Sequence, residues 1–161
     1  YTTINGVQAA DFDGSDDELG GPLFSDVGTF AKYAVVEVDS GATNENTVMF
    51  NRDNESGIEV FQYRLGDEWR CSGATGISAN TSFHLHTYIR DQSNNVEYRV
   101  NSGDETTTGT MDRPFNRIHV GNDPFRGRFF QGAIGELLIY NANHDFETRD
   151  EVEDYLSSKW Y

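Results

Sequence analysis

The sequence predicts an all-β fold, a sandwich of two antiparallel sheets closed by a short C-terminal helix. Short alternating or β-branched runs recur along the chain, separated by clusters of Gly, Asn, Asp and Ser. Helical periodicity is almost absent before residue 146. The chain has 161 residues, enough for one core, and 13% of them are aromatic, which suits an interior built from strands.

The runs that read as strands are residues 7–12, 30–39, 47–50, 58–63, 69–73, 83–90, 96–100, 117–120 and 129–140. The first follows Asn5-Gly6 and ends at Asp13-Gly14, and the second ends at Ser40-Gly41. Asn94-Asn95 and Ser102-Gly103 flank the run 96–100. Each of these pairs tolerates positive φ and marks a tight turn, so the strands it joins run antiparallel. Thr106 to Thr108 reads as a Thr-rich turn. With no repeat or linker, residues 1–161 read as one domain.

Residues 83–90 carry the clearest alternation. Phe83, Leu85, Thr87 and Ile89 share one face, and His84, His86, Tyr88 and Arg90 share the other. The first face is expected in the core and the second in solvent. Residues 96–100 repeat the pattern, Val96, Tyr98 and Val100 alternating with Glu97 and Arg99. The helix is expected to begin near Thr148, which has capping-box spacing to Glu151. Val152, Tyr155, Leu156 and Trp160 then form one stripe that packs on the sandwich.

Composition removes several function classes. The 12 basic and 27 acidic residues give a formal net charge of -15, which repels a phosphate backbone and argues against nucleic acid as a partner. No run approaches the roughly 20 apolar residues that a membrane-inserted helix needs. The single Cys71 cannot form an internal disulfide and reads as a small, partly buried strand residue. The chain opens at Tyr1 without a signal-like segment, so it is expected to be processed or cut from a longer protein.

Two segments carry a family resemblance. Ile4-Asn5-Gly6-Val7-Gln8-Ala9-Ala10-Asp11-Phe12-Asp13-Gly14 and the acidic stretch to Leu19 form an opening hairpin, and Gly132-Ala133-Ile134-Gly135-Glu136-Leu137-Leu138-Ile139-Tyr140-Asn141 with the terminal helix forms a closing unit. Together with the hairpin from Phe83 to Ser102, they resemble a laminin G-like domain of the concanavalin A-like lectin and glucanase superfamily. The resemblance covers nearly the whole chain, without a further N-terminal strand region common in that family. It implies a jelly-roll sandwich of two curved sheets, with ligands met on the concave face or by rim loops.

Three chemistries can be weighed on the residues. Some members of that superfamily hydrolyse β-glucans with paired carboxylates on one strand, and Glu37-Val38-Asp39 begins such a pattern. Ser40, Gly41 and Ala42 follow, the next acid is Glu45 beyond the turn, and no enzyme is expected. Asp13, Asp16 and Asp17, close to Asp11 and Glu18, would suit calcium, as would Asn122 and Asp123, although a solvated turn explains the first cluster better and the second pair is no stronger a candidate. Sugars are held by aromatic rings and planar polar groups. His84, His86, Tyr88, Arg90 and Arg99, with Trp69, Phe125 and Arg126, form the candidate platform, against the alternative of an ordinary solvated face.

The expected function is a non-catalytic carbohydrate-binding module that recognises a polysaccharide or surface glycan in an extracellular or surface-exposed setting. The alternative is a structural or adhesion domain of a cell-surface protein or virion appendage, contacting protein neighbours.

Overall fold

The computed structural model describes residues 1–22, 25, 27–42, 46–51, 58–64, 68–74, 76–78, 82–103, 105–113 and 115–161. Two antiparallel sheets face each other. In spatial order the larger holds β1 (Thr2–Ile4), β2 (Val7–Asp13), β15 (Gln131–Tyr140), β4 (Phe30–Val38), β9 (His84–Arg90), β10 (Asn95–Val100) and β11 (Glu105–Thr110). The smaller holds β3 (Leu19–Gly20), β12 (His119–Val120), β5 (Asn46–Asn51), β6 (Ile58–Arg64), β7 (Glu68–Arg70) and β8 (Ile77–Ser78). A separate hairpin pairs β13 (Asn122–Asp123) with β14 (Arg128–Phe129), and one helix, α1 (Phe146–Trp160), ends the fold. This is the expected jelly-roll sandwich with a C-terminal helix.

Phe12, Phe30, Val36, Phe61, Trp69, Tyr88, Tyr98 and Phe130 belong to the core cluster between the sheets. A second cluster joins Ile4, Tyr33, Val35, Leu85, Ile89, Leu156 and Trp160, where α1 lies on the outer face of the seven-stranded sheet. Burying an aromatic or aliphatic side chain of this size stabilises by about 1.5–3 kcal/mol, so the helix is an integral layer.

The closing strand owes its place to two glycines. Gly132 has φ +149°, and a Cβ there would lie 2.2 Å from the Glu37 carbonyl oxygen. The ladder to β4 slips between Ile134 and Glu136, and a Cβ on Gly135 within that bulge would lie 2.7 Å from the Trp160 ring. Glu136 then accepts hydrogen bonds from Trp160 Nε1 at 2.9 Å and Lys159 Nζ at 2.8 Å.

Several expectations are corrected. Every residue of β9 is buried, so the polar set of that strand does not face solvent. One of its faces meets the second sheet and the other meets α1. The Thr-rich segment at 106–108 is part of strand β11, because β-branched threonines fit a pleated edge as well as a turn. The helix begins at Phe146, since the Asp145 side chain accepts from Thr148 N at 3.0 Å and supplies the N-cap. Tyr155 leaves the buried stripe and is 48% exposed. Glu45 lies outside the described residues.

Candidate functional site

The sequence-predicted sugar residues separate into three places. Trp69 on β7 and His84, His86, Tyr88 and Arg90 on β9 meet in the sandwich interior. The Trp69 and His86 rings are 4.3 Å apart, and the His84 and His86 rings 5.9 Å apart. His86 Nδ1 shares a 2.8 Å hydrogen bond with the Tyr98 hydroxyl, and burial, with His84 beside it, pushes the His86 imidazole well below its usual range. Tyr88 donates to the Ser72 carbonyl. Arg90 donates to the Arg113 carbonyl at 2.5 Å and to Asn94 Oδ1 at 2.8 Å. The core accommodates these polar side chains through hydrogen bonds to Tyr98, Asn94 and the carbonyls of Ser72 and Arg113.

Arg99 lies on the opposite face, under α1. It approaches Glu153 Oε2 at 3.5 Å and donates to the Ser102 carbonyl at 2.7 Å, while Thr87 donates to Glu153 Oε1 at 2.6 Å. Desolvation raises the Glu153 carboxyl. Beside it, Arg149 pairs with Glu97 at 2.9 Å. This charged seam fastens the helix to β9 and β10.

Phe125 and Arg126 stand at the rim, in the turn between β13 and β14. Asp123, wholly buried, accepts from Phe125 N at 3.0 Å and from the Arg126 guanidinium at 2.8 Å, which sets the turn's shape. The Phe125 ring rests 5.6 Å from Phe50 and is 44% exposed. Arg126 also lines a cleft of about 370 Å³ with Ser72, Gly73, Thr110, Asp112 and Arg113.

Asp13, Asp17, Asn122 and Asp123 among the calcium candidates already hold hydrogen bonds of their own. Asp17 Oδ2 accepts from Asp13 N at 2.9 Å, and Asp13 Oδ1 accepts from Ser15 N at 2.8 Å. Asp16 lies in the same turn. Asn122 donates to Glu18 Oε2 at 2.9 Å, and His119 Nδ1 meets Glu18 Oε1 at 2.6 Å. Among the described residues, no three or more His, Cys, Asp or Glu side chains gather as a metal site.

A larger cleft, of about 640 Å³, opens beside the N-terminus of α1. Its apolar lining comes from Ile89, Val96 and Phe146, and its polar lining from Asp91, Asn95, Glu97, Thr108, Thr110, Asn143, His144 and Arg149. Phe146 is 68% exposed, and the Arg149 guanidinium carbon lies 4.9 Å from its ring centre. His144 shares a 2.8 Å hydrogen bond with the Tyr33 hydroxyl and packs 4.5 Å from Tyr140; desolvation lowers its imidazole. Asp91 is bonded by the Asn95 side chain and by the amides of Ser93 and Asn95, which hold its carboxyl below the usual range.

None of the sequence-predicted site residues lines this cleft. The available signal was Phe146, an aromatic at the helix start that falls outside the buried stripe. The strand residues gave none, because the cleft is lined by residues of β9, β10, β11 and the start of α1 that come together only in the folded chain.

No protein-family model and no curated protein sequence matches the chain. Solved structures do. Domain 4 of AbnA, a GH43 extracellular arabinanase from Geobacillus stearothermophilus in complex with arabinotriose, superposes with a TM-score of 0.66 at 17% identity, covering 91% of this chain and 75% of that one. The CBM40 of a Ruminococcus gnavus IT-sialidase bound to α2,3 sialyllactose gives 0.59 at 10% identity, covering 88% and 98%. Trypanosoma rangeli sialidase in complex with sialic acid gives 0.70 at 11% identity, covering 94% of this chain but 28% of that one. The chain therefore spans about a quarter of the sialidase's length. These neighbours share one architecture, and the fold of the chain is a concanavalin A-like jelly roll.

Proposed function

We propose that this domain is a non-catalytic glycan-binding module of a secreted or surface-exposed protein, and that the cleft beside α1 receives the sugar. The observation that carries this reading is the exposed Phe146 ring at a cleft that also presents the side chains of Asp91, Asn95, Glu97, Thr108 and Asn143 beside His144 and Arg149. An aromatic ring covers the C–H face of a sugar while planar polar groups take its hydroxyls. Solved neighbours bound to arabinotriose and α2,3 sialyllactose support glycan binding in general. Phe125 and Arg126 add a second aromatic and guanidinium pair at the rim. The opening and closing segments quoted above support the finer laminin G-like assignment.

A glycan array followed by calorimetric titration tests the reading, with arabinotriose and α2,3-sialyllactose as first probes. Binding to at least one saccharide is expected, weakened roughly tenfold or more by Phe146→Ala with an unchanged circular dichroism spectrum. No binding across the array, or a Phe146→Ala variant that binds as well as the parent, overturns it. New reducing ends from a bound saccharide would overturn the non-catalytic part.

The structural or adhesive alternative has its own support in the exposed rings of Tyr140, Phe146, Tyr155 and Tyr161 on and beside α1. Concentration-dependent self-association lost in a Tyr155→Ser, Tyr161→Ser variant would favour it.

A further inference from the structure

The two clefts share one lining residue. Thr110, the exposed last residue of the edge strand β11, lines both the larger cleft beside α1 and the smaller cleft at the rim. Among the described residues, β11 is the edge strand of its sheet. The segment leaving β7 closes against it, with Ala74 bridging to Gly109. A Cβ on Gly109 would lie 1.6 Å from the Gly73 carbonyl oxygen, and one on Gly73 would lie 2.8 Å from the Thr110 carbonyl oxygen. Only glycines allow this approach. It locks a wall of the rim cleft, Ser72-Gly73, onto a wall of the larger one, Gly109-Thr110, so the two clefts share one rigid support.

We infer that the clefts form one groove, crossed at Thr110, and that its ligand is an internal stretch of an extended polysaccharide chain, not a single terminal sugar. The inference rests on the glycan reading and adds the class of saccharide. A linear saccharide repeats the same C–H faces and hydroxyls along its length, so successive units can meet Phe146 and Asn95 at one end and Arg113 and Arg126 at the other. A monosaccharide fills only one of these positions. Each added unit that reaches a new subsite binds as part of an already tethered ligand, and affinity therefore climbs with chain length until the groove is full.

Ladders of linear arabino-, xylo- and cello-oligosaccharides, from disaccharide to octasaccharide, test this by titration beside the array. For at least one ladder, affinity is expected to rise roughly tenfold or more with length and then level off. Thr110→Trp, which raises a barrier at the crossing, should remove that rise, and Arg113→Gln at the far end should reduce it, with circular dichroism confirming the fold of each. Binding that is independent of length, or a length gain that survives Thr110→Trp, overturns the single groove while leaving the glycan reading intact. If no ladder and no array saccharide binds, the glycan reading falls and the groove with it.

Discussion

Lys32 shows how far this fold departs from an oil-like interior. Its ammonium position lies 3.9 Å from the Phe30 ring centre and 3.8 Å from that of Phe115, and the side chain is wholly buried. Desolvation holds its pKa well below the ordinary 10.5, opposed in part by Cys71, with Arg90 adding a smaller push downward. A lysine whose folded pKa is depressed binds fewer protons folded than unfolded, so stability rises with pH from the folded value up to 10.5. Lys32→Met keeps the volume and removes an amine with no hydrogen-bond partner among the described residues. It should stabilise by about 1–3 kcal/mol at neutral pH and flatten the alkaline rise, both measurable by chemical denaturation across pH. A destabilised variant would mean that the amine is held by the rings as a cation.

At the scale of elements, the bulge in β15 and the terminal helix depend on each other. Gly135→Ala would drive a methyl group into the Trp160 ring, and a loss of about 1–3 kcal/mol with a shifted tryptophan emission is expected. An unchanged emission would show that the ring can move aside. The same elements show what the sequence makes legible. Strands with aromatic and β-branched residues, such as β4 and β15, are visible because their composition suits only a sheet. The burial of both faces of β9 is not. Alternation assigns His86, Tyr88 and Arg90 to solvent by residue type, whereas Tyr98, the Ser72 carbonyl and Asn94 meet their polar atoms in the folded chain. Asn94 and Tyr98 sit in the turn and strand that follow, but that their side chains turn inward with the Ser72 carbonyl is set by the second sheet, and no alternation pattern reports it. The cleft at Phe146 was hidden for the same reason, being lined by the start of a helix and a distant sheet edge together.

The whole molecule carries a formal charge of -15 with 12 basic side chains, several of them committed to internal pairs such as Arg149 with Glu97 and Arg126 with Asp123. Self-repulsion among the remaining carboxylates opposes the compact state. Raising ionic strength from about 0.01 M to about 0.15 M shortens the Debye length from roughly 30 Å to roughly 8 Å, and the thermal midpoint is expected to rise. A fall would mean that the ion pairs under α1 outweigh the repulsion. The strand order carries one more consequence. β15 is inserted between β2 and β4, and its Gly132 pairs with Phe12 on one side and Val38 on the other, on the order of a hundred positions back along the chain. During synthesis β2 and β4 therefore each wait with one unpaired edge until β15 leaves the ribosome, a topology that folds slowly and exposes sticky backbone meanwhile. β15 and α1 together act as the bolt of the fold, and a nascent chain stalled before them is a substrate for chaperones.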